Sequence, residues 1–308
     1  MSGHPNLPPV GGVGRWAAAR PGGPVTVHPE RRADPLLARL EAYYDAVPRT
    51  AARAETVGPL TLFVTDGPGW PYYARPRLGA ATVGTEDVAA VRRLQRALGA
   101  PEAFEWVAET TPDLKRAAQA AGLAVAELPL MAMDQPREVR SVPPPDGVEL
   151  RLVTLEDDLA LVTAVAQVAF GAPGTAVGDA GLDALAGPAA ELAPLRLAFM
   201  RDRLAAGHTV TAVALLAGQP VAVGSHQPVG DVTEVVGVGT LPAMRRRGLG
   251  AAVTGLLVED AIGRGITTVF LSAGDDAVAR VYARLGFRRV GTACIAEPSA
   301  SADGLPAG

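Results

Sequence analysis

Cysteine and lysine each occur only once in this chain of 308 residues. A single cysteine, Cys294, allows neither an internal disulfide nor a cysteine-cluster metal site. The single lysine, Lys115, is followed by Arg116, so the Gly-Lys-Ser/Thr segment of a Walker phosphate loop is missing. The four histidines are scattered and do not indicate a zinc site. We therefore expect no metal and no Walker-type nucleotide chemistry.

Long apolar runs are also missing, since none approaches the roughly 20 residues that a membrane helix needs. Residues 1–13 lack the basic region and apolar core of a signal peptide. Lysine and arginine total 28 against 32 acidic residues, and the resulting net charge of −4 argues against a general nucleic-acid binder. We expect a cytoplasmic protein with no membrane or nucleic-acid partner.

Composition and length predict two folded domains. Hydrophobic residues make up 48% of the chain, enough to bury a core, and 308 residues fit two domains of ordinary size. Residues 1–34, rich in Gly, Pro and Arg, are predicted to be disordered, as is the small, polar tail 299–308. The proline-rich stretch 135–146 is predicted to be a linker. Domains are expected at 35–134 and 147–298.

The second domain alternates predicted strands and helices, which indicates an α/β fold with a mixed sheet. Strands are predicted at 148–153, 209–216, 220–228, 232–240, 268–272 and 287–295. Helices are predicted at 155–170, 194–204, 249–264 and 276–285. The stretch 171–188 has no prediction.

The first domain repeats part of the second. When Gly122 is aligned with Gly286, the stretch 86–133 follows the same order of helix, strand, helix and strand without a gap. An ungapped match of nearly fifty positions favours a duplication. The first domain would then be a second copy of the same fold.

A glycine-rich loop after the valine-rich strand 232–240 carries the main chemical signal. The loop Arg245-Arg246-Arg247-Gly248-Leu249-Gly250-Ala251 opens a predicted helix. Unpartnered amides at a helix start, together with the helix dipole, favour a bound pyrophosphate. Three arginines add positive charge, and glycines let a ligand approach the backbone. A capped helix with a solvated basic turn is the alternative.

Two ordered motifs resemble the GNAT superfamily of N-acetyltransferases. Arg245-x-x-Gly248-x-Gly250 matches the family's Arg/Gln-x-x-Gly-x-Gly/Ala signature. The segment Asp275–Phe287 resembles its later Asn-x-x-Ala-x-x-x-Tyr-x-x-x-Gly-Phe segment, with Val278 and Asp275 as departures from the usual alanine and asparagine. The resemblance covers about 150 residues and implies a bent mixed sheet flanked by helices, present here in two copies.

The resemblance also implies a ligand, acetyl-CoA, and an amine acceptor. The pantetheine arm would pair with the backbone of Val238, Gly239 and Thr240, and the pyrophosphate would bind at Arg245–Ala251. Asp275 would stand where the family contacts the cofactor arm. Gly237 and Gly239 fit a strand that a ligand approaches closely.

Glu234 and Tyr282 are the candidate catalytic residues. In a strand, residues 232, 234, 236 and 238 share one face, here Val, Glu, Val and Val, so the pKa of Glu234 is expected to be raised, as suits a general base. The alternative is an edge glutamate turned to solvent. Tyr282 is expected to protonate the leaving thiolate, as the resemblance implies; the alternative is a core tyrosine packed against Phe287.

The first copy lacks this chemistry, because Ala118 aligns with Tyr282 and Gly84-Thr85-Glu86 aligns with Gly248-Leu249-Gly250. We therefore expect an N-acetyltransferase that uses direct attack in a ternary complex, with an inactive first domain that serves packing, substrate shape or formation of a homodimer. The alternatives are a non-catalytic acyl-CoA-binding module and an interaction scaffold.

Overall fold

The computed structural model describes residues 34–65, 67–80, 82–136, 142–172 and 174–299. The disordered segments predicted at the two ends, apart from Asp34 and Ser299, lie outside the described residues, as does part of the predicted linker. Within the described ranges, no helix is long and apolar enough to cross a membrane.

Helices and strands alternate in both halves of the chain. The first half contains α1 Pro35–Ala46, β1 Arg53–Val57, β2 Leu60–Val64, β3 Arg75–Pro76, α2 Thr85–Ala97, β4 Phe104–Val107, α3 Asp113–Ala120 and β5 Leu123–Asp134. The second half contains β6 Val148–Leu152, α4 Leu159–Gly171, α5 Ala186–Glu191, α6 Pro194–Ala205, β7 Val210–Leu216, β8 Gln219–Val229, β9 Val232–Thr240, α7 Leu249–Gly263, β10 Thr268–Ser272, α8 Asp276–Leu285 and β11 Arg288–Pro298. The predicted elements of the second half are present, with bounds within four residues of the prediction.

The predicted mixed sheet is present and has eight strands in the order β4-β11-β5-β10-β9-β8-β7-β6. Its pairs are antiparallel except for the parallel pair of β9 and β10. Strands β1, β2 and β3 form a smaller sheet, which a parallel bridge between Ala74 and Phe104 links to β4. Strand β5 is apolar on both faces because helices cover both sides of the large sheet.

The internal repeat reappears in the order and spacing of the elements. Helices α2 and α7 begin 164 residues apart, at Thr85 and Leu249, and so do β4 and β10, at Phe104 and Thr268. The long final strands of the two halves are exchanged, since β5 lies between β10 and β11 while β11 lies between β4 and β5. Because the halves share one sheet, the division into domains at 135–146 stays a prediction.

Helices on the two faces of the sheet have separate roles in positioning the site. Tyr43 and Tyr44 of α1 pack edge-on against Phe270 of β10, at ring distances of 5.1 and 5.2 Å. Helix α4 covers the end of β9 on that same face, and α6 packs next to it. Helix α7 covers the opposite face, where Val253 and Leu257 contact the backbone of Gly224 in β8.

Candidate active site

Strands β9 and β10 separate immediately after Glu234. Their parallel pairing joins Val232–Glu234 to Thr268–Phe270 and extends no further. From Val235 to Thr240, β9 is paired with β8 alone. One side of this backbone is therefore available for an extended ligand in the gap between the two strands, where the resemblance places the pantetheine arm.

A bulge at Gly237 changes which residues of β9 share a face. Gly237 has φ of +64°, and the pairing of β9 with β8 shifts by one residue opposite Gly224. The extra residue inverts the alternation of side chains. Val236 faces α4 and α6, whereas Val238 packs beside Val253 on the α7 face. The prediction that Val238 shares a face with Glu234 is therefore wrong.

Gly239 has a packing reason that the sequence did not indicate. A Cβ atom there would lie 3.0 Å from Cβ of Ala169 and 3.5 Å from Cα of Ala166, so glycine lets α4 lie directly on the strand. Gly237 provides the positive φ of the bulge. Neither glycine requires a ligand to explain it.

The start of α7 has the features expected of an anion site. Gly248 adopts the left-handed conformation, with φ of +81°, and no side chain caps the helix. The amides of Leu249, Gly250 and Ala251 have no acceptor among the described residues. The side chain of Leu249 is buried in the core, so only its backbone could contribute.

The three arginines of this loop have different environments. Arg246 and Arg247 are exposed beside Gly248 and form no ion pair with any residue that the structure describes. The Arg245 side chain is instead directed at carbonyl oxygens at the end of α4, with distances of 2.8 Å to Ala169 and 2.6 Å to Ala172. The expectation that this side chain supplies mobile charge for pyrophosphate is corrected, because it caps α4.

Asp275 likewise has a structural partner. Its Oδ1 accepts a hydrogen bond of 2.7 Å from the amide of Val278 and caps α8. A carboxylate suits this position because the helix dipole favours negative charge at a helix start. A contact of Asp275 with the cofactor stays a prediction.

Glu234 is half-buried and lies against residues of the first half. Its Oε1 accepts a hydrogen bond of 3.3 Å from the hydroxyl of Tyr44, and its backbone amide donates to the hydroxyl of Tyr43 at 3.2 Å. Burial raises the pKa of Glu234 to about 8, and repulsion from Glu105 adds to the rise. Arg75 and the Tyr44 hydroxyl oppose it. The expected direction of the pKa shift is confirmed.

Arg75 and Glu105 form a buried ion pair behind Tyr44. Their side chains are 2.5 Å apart, and the Arg75 guanidinium lies 3.7 Å from the centre of the Tyr44 ring. Motif analysis of the second half missed all three residues because they come from α1, β3 and β4. One signal was available: Glu105 interrupts the apolar strand Phe104–Val107, and a buried charge of this kind needs a partner.

Tyr282 lies on the opposite face of the sheet from Glu234. It is 9% exposed and packs against Phe287 with ring centres 5.9 Å apart. Its hydroxyl forms no hydrogen bond with the residues described, and burial raises its pKa to about 12. The candidate base and the candidate acid therefore lie on opposite faces of the sheet. That both border the opening between β9 and β10 stays a prediction.

The corresponding positions of the first half are occupied differently. At the start of α2 the Asp87 carboxylate accepts a 2.9 Å hydrogen bond from the amide of Gly84, so an acid of the chain itself covers the helix end. The sequence alignment had placed Glu86, one residue earlier, at the position of Gly250. Ala118, which replaces Tyr282, is fully buried. An inactive first copy stays a prediction, and the Asp87 carboxylate at the start of α2 supports it.

The remaining reactive side chains lie away from the opening. Cys294 is fully buried in β11, where burial raises its pKa to about 12. His226 is buried under α7, with its ring nitrogens 2.9 Å from Thr233 and Asp260. No group of metal-binding side chains was found among the described residues.

The sheet is mixed, its parallel strands β9 and β10 separate, and α7 begins beside the opening at a glycine with no side-chain cap. This arrangement is the one expected of an acyl-CoA-dependent acyltransferase. Residues 185–287 match the model of the family described as acetyltransferase (GNAT) family. Residues 185–287 are therefore similar to an acetyltransferase domain of the GNAT family, and the chain is an acyltransferase. No curated protein matches the sequence.

Solved structures resemble both halves of the chain. A GCN5-related N-acetyltransferase from Kribbella flavida is 24% identical, with a TM-score of 0.63 over 86% of this chain and 96% of that one. A GNAT-family acetyltransferase from Novosphingobium aromaticivorans, described as putative, is 20% identical, with a TM-score of 0.51 over 86% and 99%. These likenesses show the fold, a pair of GNAT-like units.

Proposed function

We propose that the protein transfers an acetyl group from acetyl-CoA to a primary amine by direct attack in a ternary complex. The opening between β9 and β10, which starts at Glu234 and leads to the uncapped start of α7, carries this proposal. The backbone of Val238, Gly239 and Thr240 would pair with the pantetheine arm. The amides of Gly248–Ala251, with Arg246 and Arg247, would hold the pyrophosphate.

Glu234 accepts a proton from the attacking ammonium, so that the neutral amine can form the new C–N bond. A pKa of about 8 suits this step, because the carboxylate is then basic enough to take the proton near neutral pH. The only cysteine of the chain is buried in β11, which favours direct attack over an acyl-cysteine intermediate.

Tyr282 donates a hydrogen bond to the sulfur as the C–S bond breaks. A thiol has a pKa of about 8.5, well below the value of about 12 for Tyr282. Complete proton transfer from the phenol is therefore uphill. Hydrogen bonding to the leaving thiolate is the role that the pKa values favour, and it implies a modest contribution to rate. The second proton, which the nitrogen loses as the amide forms, passes to the departing thiolate and gives CoA as the free thiol.

Gly248→Glu tests the cofactor site. It should abolish acetyl-CoA binding in calorimetry, because a carboxylate would enter the space where the amides converge. Gly248→Ala is the matched control, since it carries the same strain at φ of +81° without the charge and should keep measurable binding. Gly265→Glu places both strain and charge beyond the other end of α7. Wild-type affinity in Gly248→Glu would refute the site.

An assay of CoA release with a panel of amines distinguishes an enzyme from a non-catalytic acyl-CoA-binding module. The module would bind acetyl-CoA but release no CoA with any amine. A scaffold would not bind acetyl-CoA at all. Glu234 and Tyr282 favour the enzyme, because a module needs neither residue beside the opening.

A further inference from the structure

Helix α6 buries charged side chains in place of apolar ones. Its two buried residues are Arg196 and Arg203, which are 6% and 5% exposed, whereas Leu195 is 72% exposed. Arginine is almost never fully buried unless it is paired. Each of the two guanidinium groups therefore needs a partner.

Arg203 finds its partners within the protein. It donates to Oγ1 of Thr209 at 3.1 Å, to Oγ1 of Thr50 at 3.2 Å and to the carbonyl oxygen of His208 at 3.1 Å. These contacts tie α6 to the first half of the chain. They account for the burial of Arg203.

Arg196 has no such partner. It forms no hydrogen bond or ion pair with any residue in the described ranges, and its buried Nε lacks an acceptor. Its guanidinium lies over the Trp70 ring at 3.7 Å from the centre, so a residue of the first half fixes its plane. The stacked group keeps its in-plane N–H donors for another ligand.

The Arg196 side chain lines a cavity of about 160 Å³ between α4, α6 and strands β8 and β9. Leu159, Val162 and Met200 give it apolar walls, and no acidic residue lines it within the part of the chain described. The side-chain oxygen of Gln167, also in its wall, is buried without a donor.

The cavity extends to the reacting end of the proposed site. Its wall includes Val236 and Gly237 at the bulge of β9, two and three residues beyond Glu234. Cavities of roughly 150 Å³ hold a group the size of benzene. A small acceptor could therefore lie in the cavity with its amine towards Glu234.

We propose that the acceptor is a small amino acid-like amine, and that Arg196 pairs with its carboxylate while the cavity holds its compact apolar part. This rests on the proposed function. An unpaired, desolvated cation is costly, and a planar guanidinium matches a carboxylate through two parallel hydrogen bonds. Arg203 also lines the cavity, but its guanidinium group already has partners within the protein, so Arg196 supplies the one unpaired positive charge, which matches a single carboxylate. Polyamines do not fit, because no acidic residue lines the cavity in the described part of the chain.

Calorimetry with matched probes tests the proposal independently of turnover. The probes are leucine and phenylalanine, their neutral amides, and the amines that lack the carboxyl group. The acids should bind the wild-type protein at least about thirty-fold more tightly than their amides, as expected for a buried charge pair. Arg196→Met should remove this preference. Arg201→Met, on the exposed face of the same helix, should keep it.

The possible results separate this proposal from the proposed function. Equal binding of acid and amide, no binding of either acid, or a preference that survives in Arg196→Met would overturn it. If circular dichroism shows that Arg196→Met does not fold, Arg196→Lys replaces it. The lysine keeps the positive charge but loses the forked guanidinium donors, so binding of the acids should weaken about ten-fold. Unchanged binding of the acids in this variant counts against the proposal. Absence of CoA release with every member of the wider amine panel would refute the transferase instead.

Discussion

The titration of Glu234 should be visible in the stability of the protein. Its pKa is about 8 in the folded protein against an ordinary value of 4.5. This difference corresponds to about 5 kcal/mol between the protonation states. Because the side chain is only half-buried, solvent screens part of this effect, and we expect roughly half of it to be measurable.

The sign of the effect follows from the raised pKa. Below about pH 4.5 the carboxyl group is protonated in both states, and its full contribution to stability is present. As the pH rises towards 8, the unfolded chain releases this proton and the folded protein does not, so the folded protein loses stability. Glu234→Gln removes the titration, and the variant should therefore gain stability relative to wild type as the pH rises.

Urea unfolding of wild type and Glu234→Gln between pH 5 and pH 9 measures this difference. The gap in free energy of unfolding should widen by about 2–3 kcal/mol over that range. Glu259→Gln, on the exposed side of α7, is the matched control and should follow wild type at every pH. Parallel stability curves for wild type and Glu234→Gln would refute the raised pKa. With a true substrate, the rise of rate with pH should flatten in Glu234→Gln only.

Three further predictions concern the cofactor side of the site and its support. Tyr282→Phe should lower kcat by about 10–100-fold, as expected for the loss of one hydrogen bond to a charged sulfur, and leave acetyl-CoA affinity nearly unchanged, because the ring that packs on Phe287 is retained; steady-state kinetics with wild-type rates would remove Tyr282 from the mechanism. One acetyl-CoA should bind per chain, because Asp87 covers the start of α2; a calorimetric stoichiometry of two would contradict this. Arg245→Met should destabilise the protein by about 2–4 kcal/mol through the carbonyls left unpaired at the end of α4, and an unchanged melting temperature would show that these bonds contribute little.

Local patterns in the sequence were sufficient for the main elements and for the position of the cofactor loop. Strand 232–240 and the helix beginning at Leu249 were predicted from the periodicity of their apolar residues. The loop between them was recognised from glycines, whose role depends on local backbone geometry. The left-handed conformation of Gly248 belongs to the turn itself and does not depend on residues that are distant in the chain. The repeat was also readable, because duplicated elements keep their spacing along the chain.

The orientation of side chains depended on tertiary packing. No pattern within β9 indicated that the bulge at Gly237 would turn Val238 to the other face, or that α4 would pack directly on Gly239. Arg245 was assigned to a phosphate because its partners, the carbonyls of Ala169 and Ala172, lie more than seventy residues away. Long-range contacts of this kind leave no local trace in the sequence.

The first half shows the same division most clearly. Its sequence determined what it lacks, since Ala118 cannot replace a tyrosine hydroxyl. What the first half contributes to the site was decided by tertiary structure, through the exchange of β5 and β11 and the packing of α1 across the sheet. These contributions are Tyr44, Arg75 and Glu105 around Glu234, and Trp70 beneath Arg196. The sequence by itself determined the fold and the place of the cofactor loop, and the packing of the two halves decided the surroundings of the candidate base. The physical reason is that periodicity records which face of an element is buried, whereas burial and charge at a site depend on residues that are distant in the chain.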